Sequence, residues 1–195
     1  MKPAEEKSRT VAFALCGSFC SFGAVLPQIR VLRQRGWTIL PILSASAATQ
    51  DTRFGTATAL FATLRELTGN EPLTTLQAVE PLGPQQMARA LIIAPATGTT
   101  MALLAAGISS TPVTLAAKSL LRGGCPVVVA PSTNDGLAGS AGALAALLQR
   151  KHYYFVPFGQ DDSYKKPTSL KSDFTQLPDT LDGALRGVQI QPMLL

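Results

Sequence analysis

Short apolar runs alternate along the chain with longer segments whose apolar residues recur at helical spacing. Six of the runs are uncharged and are bounded by small or turn-forming residues, a pattern that predicts buried β-strands. These runs read TVAFALCGS, WTILPIL, LTTLQAV, LIIA, PVVVA and YYFVP. The sequence therefore predicts a sheet of six strands.

The segments between these runs have the spacing of helices that pack on a sheet. Val25, Ile29 and Leu32 mark the first helix, which ends at Gly36, a residue that favours helix ends. Strands that alternate with helices predict an α/β fold, with a mainly parallel sheet covered by helices on both faces. We expect helices over residues 22–35, 54–67, 99–108, 111–124 and 139–151, and a weaker one near 177–185.

The 195 residues show neither an internal repeat nor a linker, so we expect one domain over residues 1–195. Residues 1–9 are polar and mixed in charge, which predicts a flexible N-terminus. Residues 158–195 are rich in Pro, Asp and Lys. We expect this segment to be a tail that packs on the domain or on a partner.

An uncharged run from Ala90 to Ala117 is long enough to resemble a membrane span. However, the turn-forming segment PATGTT interrupts it between two apolar blocks. A bilayer helix tolerates such a turn only where neighbours satisfy its backbone. We interpret the run as a strand, a turn and a helix, and the sequence predicts no membrane segment.

The net charge of +5 is spread along the chain, and only 6% of the residues are aromatic. Nucleic-acid binding usually needs a basic stripe with stacking rings, so it is disfavoured, whereas anionic small molecules suit this charge. Three cysteines and the absence of a signal-peptide pattern favour a cytoplasmic protein. One histidine and a single C-x-x-x-C pair, Cys16 and Cys20, provide too few ligands for a metal site.

The turns that follow four of the predicted strands are rich in Gly, Ser and Thr. They read CGSFCSFG, SASAA, PATGTT and PSTNDG. At the carboxyl edge of a parallel sheet such turns expose N–H groups and hydroxyls that bind phosphates. Ordinary βα turns that only cap helices favour the same residues, and this alternative stays open. The G-x-G-x-x-G and G-x-x-x-x-G-K-[ST] motifs are absent, which disfavours a nicotinamide-binding or ATP-binding fold.

These turns resemble those of a known family. The segments GSFCSF, TRFGTA, PVVVAPSTNDGL and YYFVPFGQDD are similar to those of the dipicolinate synthase B subunits, flavoprotein-like proteins of spore-forming bacteria. More broadly, the chain is similar to the flavin-containing cysteine decarboxylase superfamily. The resemblance runs from about Val11 to the segment VQIQP. It implies a Rossmann-like three-layer sandwich and a site for FMN.

The resemblance also implies which residues form that site. Turns after the first two strands would hold the FMN phosphate, through Gly17, Ser18, Phe19 and Ser44. The segment along the flavin corresponds to Pro95, Ala96, Thr97, Gly98, Thr99 and Thr100. The segment that recognises substrate corresponds to Pro131, Ser132, Thr133 and Asn134.

Two departures from the superfamily disfavour cysteine decarboxylation. Thr133 replaces a methionine, and no histidine lies between the second and fourth strands, since His152 is far downstream. The resemblance instead implies a subunit that forms dipicolinate from a dihydrodipicolinate-derived precursor, in the mother cell of a sporulating bacterium. Its A-subunit partner would bind NAD or NADP. A non-catalytic assembly subunit and another flavin-dependent decarboxylase remain alternatives.

Further residues are candidates for the chemistry and for assembly. Asn134 and Asp135 are catalytic candidates, although Asp135 also suits the N-cap of a helix that starts at Gly136. Lys165 and Lys166, or an arginine of the A subunit, would hold the carboxylates of a small dicarboxylate substrate. In the alternative, the two lysines lie in a solvated loop. The superfamily implies a homo-oligomer. The small residues of SAGALAALL suit a subunit contact, or close packing on the sheet.

Overall fold

A computed structural model describes residues 9–195, which form one seven-stranded sheet with helices on both faces. The α/β class predicted from the alternation of strands and helices is confirmed. The strands are β1 (Thr10–Leu15), β2 (Thr38–Leu43), β3 (Leu91–Ala96), β4 (Val127–Thr133), β5 (Tyr153–Phe155), β6 (Phe158–Asp162) and β7 (Lys166–Ser172). The helices are α1 (Phe22–Gln34), α2 (Ala45–Thr49), α3 (Ala57–Thr68), α4 (Leu76–Val79), α5 (Gly98–Ala105), α6 (Pro112–Leu121), α7 (Ala141–Leu148) and α8 (Leu177–Leu185).

The sheet reverses its winding direction between β1 and β3. Its strand order is β2-β1-β3-β4-β7-β6, and β5 also pairs with β4. The pairs among β1 to β5 are parallel, whereas β7 runs antiparallel to β4 and to β6. In open parallel sheets ligands bind where the winding reverses, beyond the carboxyl ends of the strands. This topology therefore places the candidate site at the carboxyl edge of β1, β3 and β4.

Both faces of the central strands are buried, which explains their continuous apolar sequences. Along β1, Val11, Phe13 and Leu15 face a core with α1, α3 and α8. Ala12 and Ala14 face the opposite core, with α5, α6 and α7. The uncharged run from residue 90 to residue 117 therefore contains β3, α5 and the first half of α6. Within residues 9–195, no helix combines the length and the apolar composition that crossing a bilayer requires.

The predicted third strand, LTTLQAV, is wrong. Only Leu73 pairs with the sheet, through a single bridge to Ile42, and α4 follows. The cause is Thr75, whose hydroxyl accepts a hydrogen bond from the Ala78 N–H and so begins a helix where a strand was expected.

The segment after residue 158 contains the hairpin β6–β7, which the sequence pattern did not predict. Its strands are polar and lie at the end of the sheet, so no apolar run marks them. The helix expected near 177–185 is α8. Of the segment predicted to be flexible, residues 1–8 lie outside the described residues. Arg9 donates a hydrogen bond to the Arg35 carbonyl oxygen and lies over the Trp37 ring.

Candidate functional site

Three turns meet at the carboxyl edge of the sheet, and we name them by the strand that each one follows. The β1 turn comprises residues 16–21, the β3 turn residues 97–100 and the β4 turn residues 134–140. Between them lies a cleft of about 450 Å³. Residues from these turns, from the end of β4, from the start of β7 and from the loop between α2 and α3 line the cleft: Gly17, Ser18, Phe19, Cys20, Arg53, Phe54, Thr97, Ser132, Thr133, Asn134 and Lys166.

Ser132 joins the end of β4 to the β1 turn. Its hydroxyl lies 3.0 Å from the Ser18 hydroxyl and 2.8 Å from the Ser21 hydroxyl. Ser21 and Ser132 are buried, at 1% and 5% exposure, so these hydrogen bonds replace contacts with water that the groups have lost. The three serines hold the β1 turn against the end of β4, two segments that are far apart in sequence.

The β3 turn is joined to the β1 turn through Thr100 and Cys16. Thr97 caps α5 by accepting from the Thr100 N–H, and the Thr100 hydroxyl donates to Cys16 Sγ over 3.3 Å. Burial raises the pKa of Cys16 to about 11, so this thiol is neutral at physiological pH. Cys16 therefore acts as a hydrogen-bond acceptor in the core and not as a nucleophile.

Asp135 organises the β4 turn. Its Oδ1 accepts hydrogen bonds from the Thr133 hydroxyl at 2.6 Å and the Ser140 hydroxyl at 2.8 Å. The hydrogen bond from Thr133, and to a smaller extent the one from Ser140, holds the pKa of Asp135 below its usual range. The predicted N-cap at Asp135 is wrong, because α7 begins at Ala141 and its N-cap residue is Ser140.

Gly98 allows the β3 turn to lie directly on the β4 turn. A Cβ built on Gly98 would overlap Ser140 Oγ, and it would lie 2.9 Å from Asp135 Oδ1 and 3.0 Å from Thr133 Oγ1. The resemblance places this glycine in the segment along the flavin. The atoms that it admits are side chains of the end of β4 and of the β4 turn.

A second group of donors lies where the β1 turn meets the start of α2. The Ser44 hydroxyl accepts from the Ala47 N–H and lies 3.1 Å from the Ser46 hydroxyl. A Cβ on Gly17 would be 2.7 Å from Ser46 Oγ, so the glycine and the two serines are neighbours. Ser46 is a residue that sequence reasoning missed, although it stands two places after Ser44 in the same polar turn.

The fit of this group to a phosphate rests on its chemistry, because it offers hydroxyls and backbone N–H groups and no carboxylate. Within residues 9–195, the N–H groups of Gly17 and Phe19 donate to no acceptor. The Ser18 N–H, in contrast, donates to the Cys16 carbonyl oxygen at 2.8 Å. A phosphate oxygen is the acceptor that such free donors bind.

Not every predicted residue reaches the cleft. Pro95 and Ala96 are buried in β3, and Thr99 is exposed on α5 outside the cleft lining. Lys166 lines the cleft, whereas Lys165 does not. His152 precedes β5 at the opposite edge of the sheet, so the cleft has no histidine in its lining.

The loop between α2 and α3 supplies two cleft residues that sequence reasoning left without a role. Arg53 and Phe54 are exposed, and the Arg53 guanidinium carbon lies 4.9 Å from the Phe54 ring centroid. The sequence feature that could have identified them is an arginine next to a phenylalanine, in the polar loop that follows the turn with Ser44.

Lys166, the first residue of β7, is a second cation in the lining of the cleft. Its ammonium group donates to Asp161 Oδ2 at 2.6 Å, and Lys171 Nζ lies 4.0 Å from the other oxygen of that carboxylate. The hydrogen bond to Asp161 raises the pKa of Lys166, which is protonated at physiological pH. Among residues 9–195, no group of three or more His, Cys, Asp or Glu side chains is arranged to hold a metal ion.

The sequence matches known proteins along nearly its whole length. A family model described as Flavoprotein matches residues 1–139. The chain is 38% identical over 189 residues to the B subunit of dipicolinate synthase from Bacillus subtilis (strain 168), an alignment that covers 97% of this chain and 94% of that protein. This chain belongs to the flavoprotein family, among the dipicolinate synthase B subunits.

Solved structures agree with this assignment to the family. A crystal structure of the dipicolinate synthase B subunit from Bacillus halodurans superposes with a TM-score of 0.87 at 37% identity and covers 95% of both chains. The FMN-dependent cysteine decarboxylase TvaF, from thioviridamide biosynthesis, superposes with a TM-score of 0.54 at 28% identity over 71% of this chain and 84% of that one. The Rossmann-like fold that the resemblance implied is confirmed.

Replacing Gly98 by alanine tests whether the β3 and β4 turns depend on their direct contact. The added Cβ overlaps Ser140 Oγ, and we expect Gly98→Ala to lower the free energy of unfolding by about 1–3 kcal/mol, the usual cost of overpacking. Denaturant unfolding followed by circular dichroism measures the change.

Gly142→Ala is the matched control, because a Cβ at this position in α7 meets nothing within 4 Å. We expect this variant to be unchanged or more stable by up to about 1 kcal/mol, the helix preference of alanine over glycine. If Gly98→Ala and the wild type have the same free energy of unfolding, the fold does not depend on direct contact between the two turns.

Proposed function

We propose that this chain is the B subunit of a dipicolinate synthase and holds FMN at the carboxyl edge of its sheet. It acts with an A subunit that binds NAD or NADP. Together the two subunits form dipicolinate from a dihydrodipicolinate-derived precursor, in the mother-cell cytoplasm of a spore-forming bacterium. The observation that supports this proposal best is the cleft, in which three Gly/Ser/Thr turns meet between Arg53 and Lys166.

The donors beside the cleft suit the FMN phosphate. Ser44 and Ser46 supply hydroxyls, and Gly17 and Phe19 supply N–H groups without an acceptor in the described chain. Phe19 and Phe54 give the cleft apolar walls for a flavin ring. When bound, FMN supplies a hydride acceptor, a chemistry that side chains do not provide. Relatives with FMN-dependent activity, such as TvaF, support this assignment.

The end of β4 suits a small dicarboxylate. The Asn134 amide offers both a donor and an acceptor, and the Thr133 hydroxyl lies beside it in the lining of the cleft. The Thr168 hydroxyl donates to the Asn134 carbonyl oxygen at 2.7 Å, so this backbone is fixed by β7. The Asn134 side chain is thus presented from a rigid position, which favours specific binding.

One observation favours the alternative of a non-catalytic assembly subunit. The titratable side chains in the cleft lining are Cys20, Arg53 and Lys166, and Asp135, which is adjacent, already accepts two hydrogen bonds. The lowered pKa of Asp135 makes it a weak base at neutral pH. In this alternative the A subunit supplies the acid and base groups. Another flavin-dependent decarboxylase is a third alternative, which the lack of a histidine in the cleft disfavours.

We also propose that the chain forms a homo-oligomer through α5 and α7. These two helices pack together and contain no charged residue. Ala102 on α5, Ala106 directly after it and Ala145 on α7 are exposed, and Leu148 on α7 is 40% exposed. An uncharged surface of small side chains allows close packing between subunits.

A charge placed on this surface tests the homo-oligomer. We expect the wild type to scatter light as a multiple of its 20.5 kDa mass and Ala145→Glu to be monomeric, because the new carboxylate would lose its water in the contact. Ala24→Glu, at an exposed position of α1, is the control and should assemble like the wild type. A wild type that remains monomeric at micromolar concentration would contradict the proposal.

Removing a hydroxyl from the phosphate group of donors tests the flavin site. We expect Ser44→Ala to raise the Kd for FMN about tenfold, since a hydrogen bond to a charged group contributes about 1.5–3 kcal/mol. Quenching of flavin fluorescence during titration measures Kd. Because Ser44 also caps α2, Ser46→Ala is measured in parallel and should weaken binding without removing a cap.

The control for both variants is Ser110→Ala, at an exposed position between α5 and α6. We expect its Kd for FMN to equal that of the wild type. If the wild type itself shows no saturable binding of FMN, the proposed flavin site is refuted.

Removing the Asn134 amide tests the substrate site. We expect Asn134→Ala to lower dipicolinate formation with the A subunit at least tenfold, about 1.4 kcal/mol of transition-state binding. Melting temperature and FMN affinity should stay unchanged, because the backbone contact with Thr168 does not use the amide. Full activity of Asn134→Ala would remove this residue from the site.

A further inference from the structure

The loop that carries Arg53 is ordered by its own hydrogen bonds. Thr52 and Gly55 exchange backbone hydrogen bonds of 2.9 and 3.1 Å, and the Phe54 N–H donates to the Thr52 hydroxyl. Gly55 has a φ of +139°, a conformation that glycine adopts without strain. The Asp51 carboxylate accepts from the Ala57 N–H and thereby joins the loop to the start of α3.

The Arg53 guanidinium is positioned without being neutralised. It lies over the Phe54 ring, a contact that leaves the N–H groups at its edge available as donors. Within residues 9–195, Arg53 makes no ion pair with a carboxylate, unlike Arg35 and Arg65, which pair with aspartate or glutamate. Such a planar set of donors matches a carboxylate in a bidentate arrangement.

The second cation, Lys166, stands on the β7 side of the same cleft. Asp161 pairs with Lys166 at 2.6 Å and lies 4.0 Å from Lys171, and the charge of Asp162 also acts on Lys166. Asp135 follows the cleft residue Asn134 and keeps its negative charge, while its carboxylate accepts hydrogen bonds from Thr133 and Ser140. The lining of the cleft thus carries two cations: Arg53, which has no carboxylate partner among residues 9–195, and Lys166, which is paired with Asp161.

We infer that Arg53 and Lys166 form a two-point clamp, in which each cation binds one carboxylate of a planar dicarboxylate. This inference rests on the proposed function. Arg53 is then the residue that sets specificity for a ligand with two carboxylates over a ligand with one. Lys165, which does not line the cleft, has no part in the clamp.

Calorimetric titration of the full-length protein, loaded with FMN, tests the clamp with two probes. Dipicolinate has both carboxylates, and picolinate, pyridine-2-carboxylate, has one. We expect the wild type to bind dipicolinate at least tenfold more tightly than picolinate, about 1.4 kcal/mol. In Arg53→Gln this preference should fall to less than about threefold, because the second carboxylate has lost its bidentate partner.

Two further variants make the result specific. Arg53→Lys keeps the charge and loses the planar donors, so it should retain only part of the preference. Arg30→Gln removes an equal charge from an exposed position on α1, away from the cleft, and should keep the full preference. Circular dichroism and FMN affinity, measured on each variant, show that the fold and the flavin site are intact.

Three outcomes would overturn the clamp: no preference for dipicolinate in the wild type, an unchanged preference in Arg53→Gln, or an equal loss of preference in Arg30→Gln. None of them decides the proposed function, which is tested separately by dipicolinate formation with the A subunit. A wild type that forms dipicolinate and yet shows no dependence on Arg53 would keep the function and reject the clamp.

Discussion

The contact among the turns at the carboxyl edge is the constraint on which the cleft depends. Ser132 bonds to Ser18 and Ser21, and Gly98 lies against Ser140 and Asp135. Each of these turns follows a strand that is buried on both faces, so the strands fix where the turns begin. Side-chain hydroxyls then fix how the turns meet. The result is a cleft whose shape is set by short polar side chains rather than by a mobile loop.

This arrangement separates two sets of hydroxyls that look alike in the sequence. The hydroxyls of Ser21, Ser132 and Thr100 form hydrogen bonds with other protein groups and hold the site together. Ser44 and Ser46 lie beside N–H groups that have no acceptor in the described chain, and they suit an anion. The Asp135 carboxylate has the same structural role as the first set. It accepts hydrogen bonds within the protein, has a lowered pKa and organises the β4 turn.

Apolar periodicity was enough to predict the parallel strands and the main helices, because burial on both faces leaves uncharged runs. It failed at Thr75, where one hydroxyl cap begins a helix, and at the hairpin β6–β7, whose polar strands lie at the end of the sheet. The Gly/Ser/Thr turns predicted the edge of the sheet at which the cleft lies. Arg53 was missed because its role depends on the conformation of its loop. Ser46 was missed because its role depends on a contact with Gly17, which residue spacing does not reveal.

The central claim is that this edge of the sheet holds a flavin. The most direct test is the visible absorption spectrum of the purified protein after incubation with FMN and removal of free ligand, recorded alone and with the A subunit. We expect a protein-bound flavin spectrum in at least one of the two samples, and a weaker one for Ser44→Ala. Protein that carries no flavin in either sample would contradict the account.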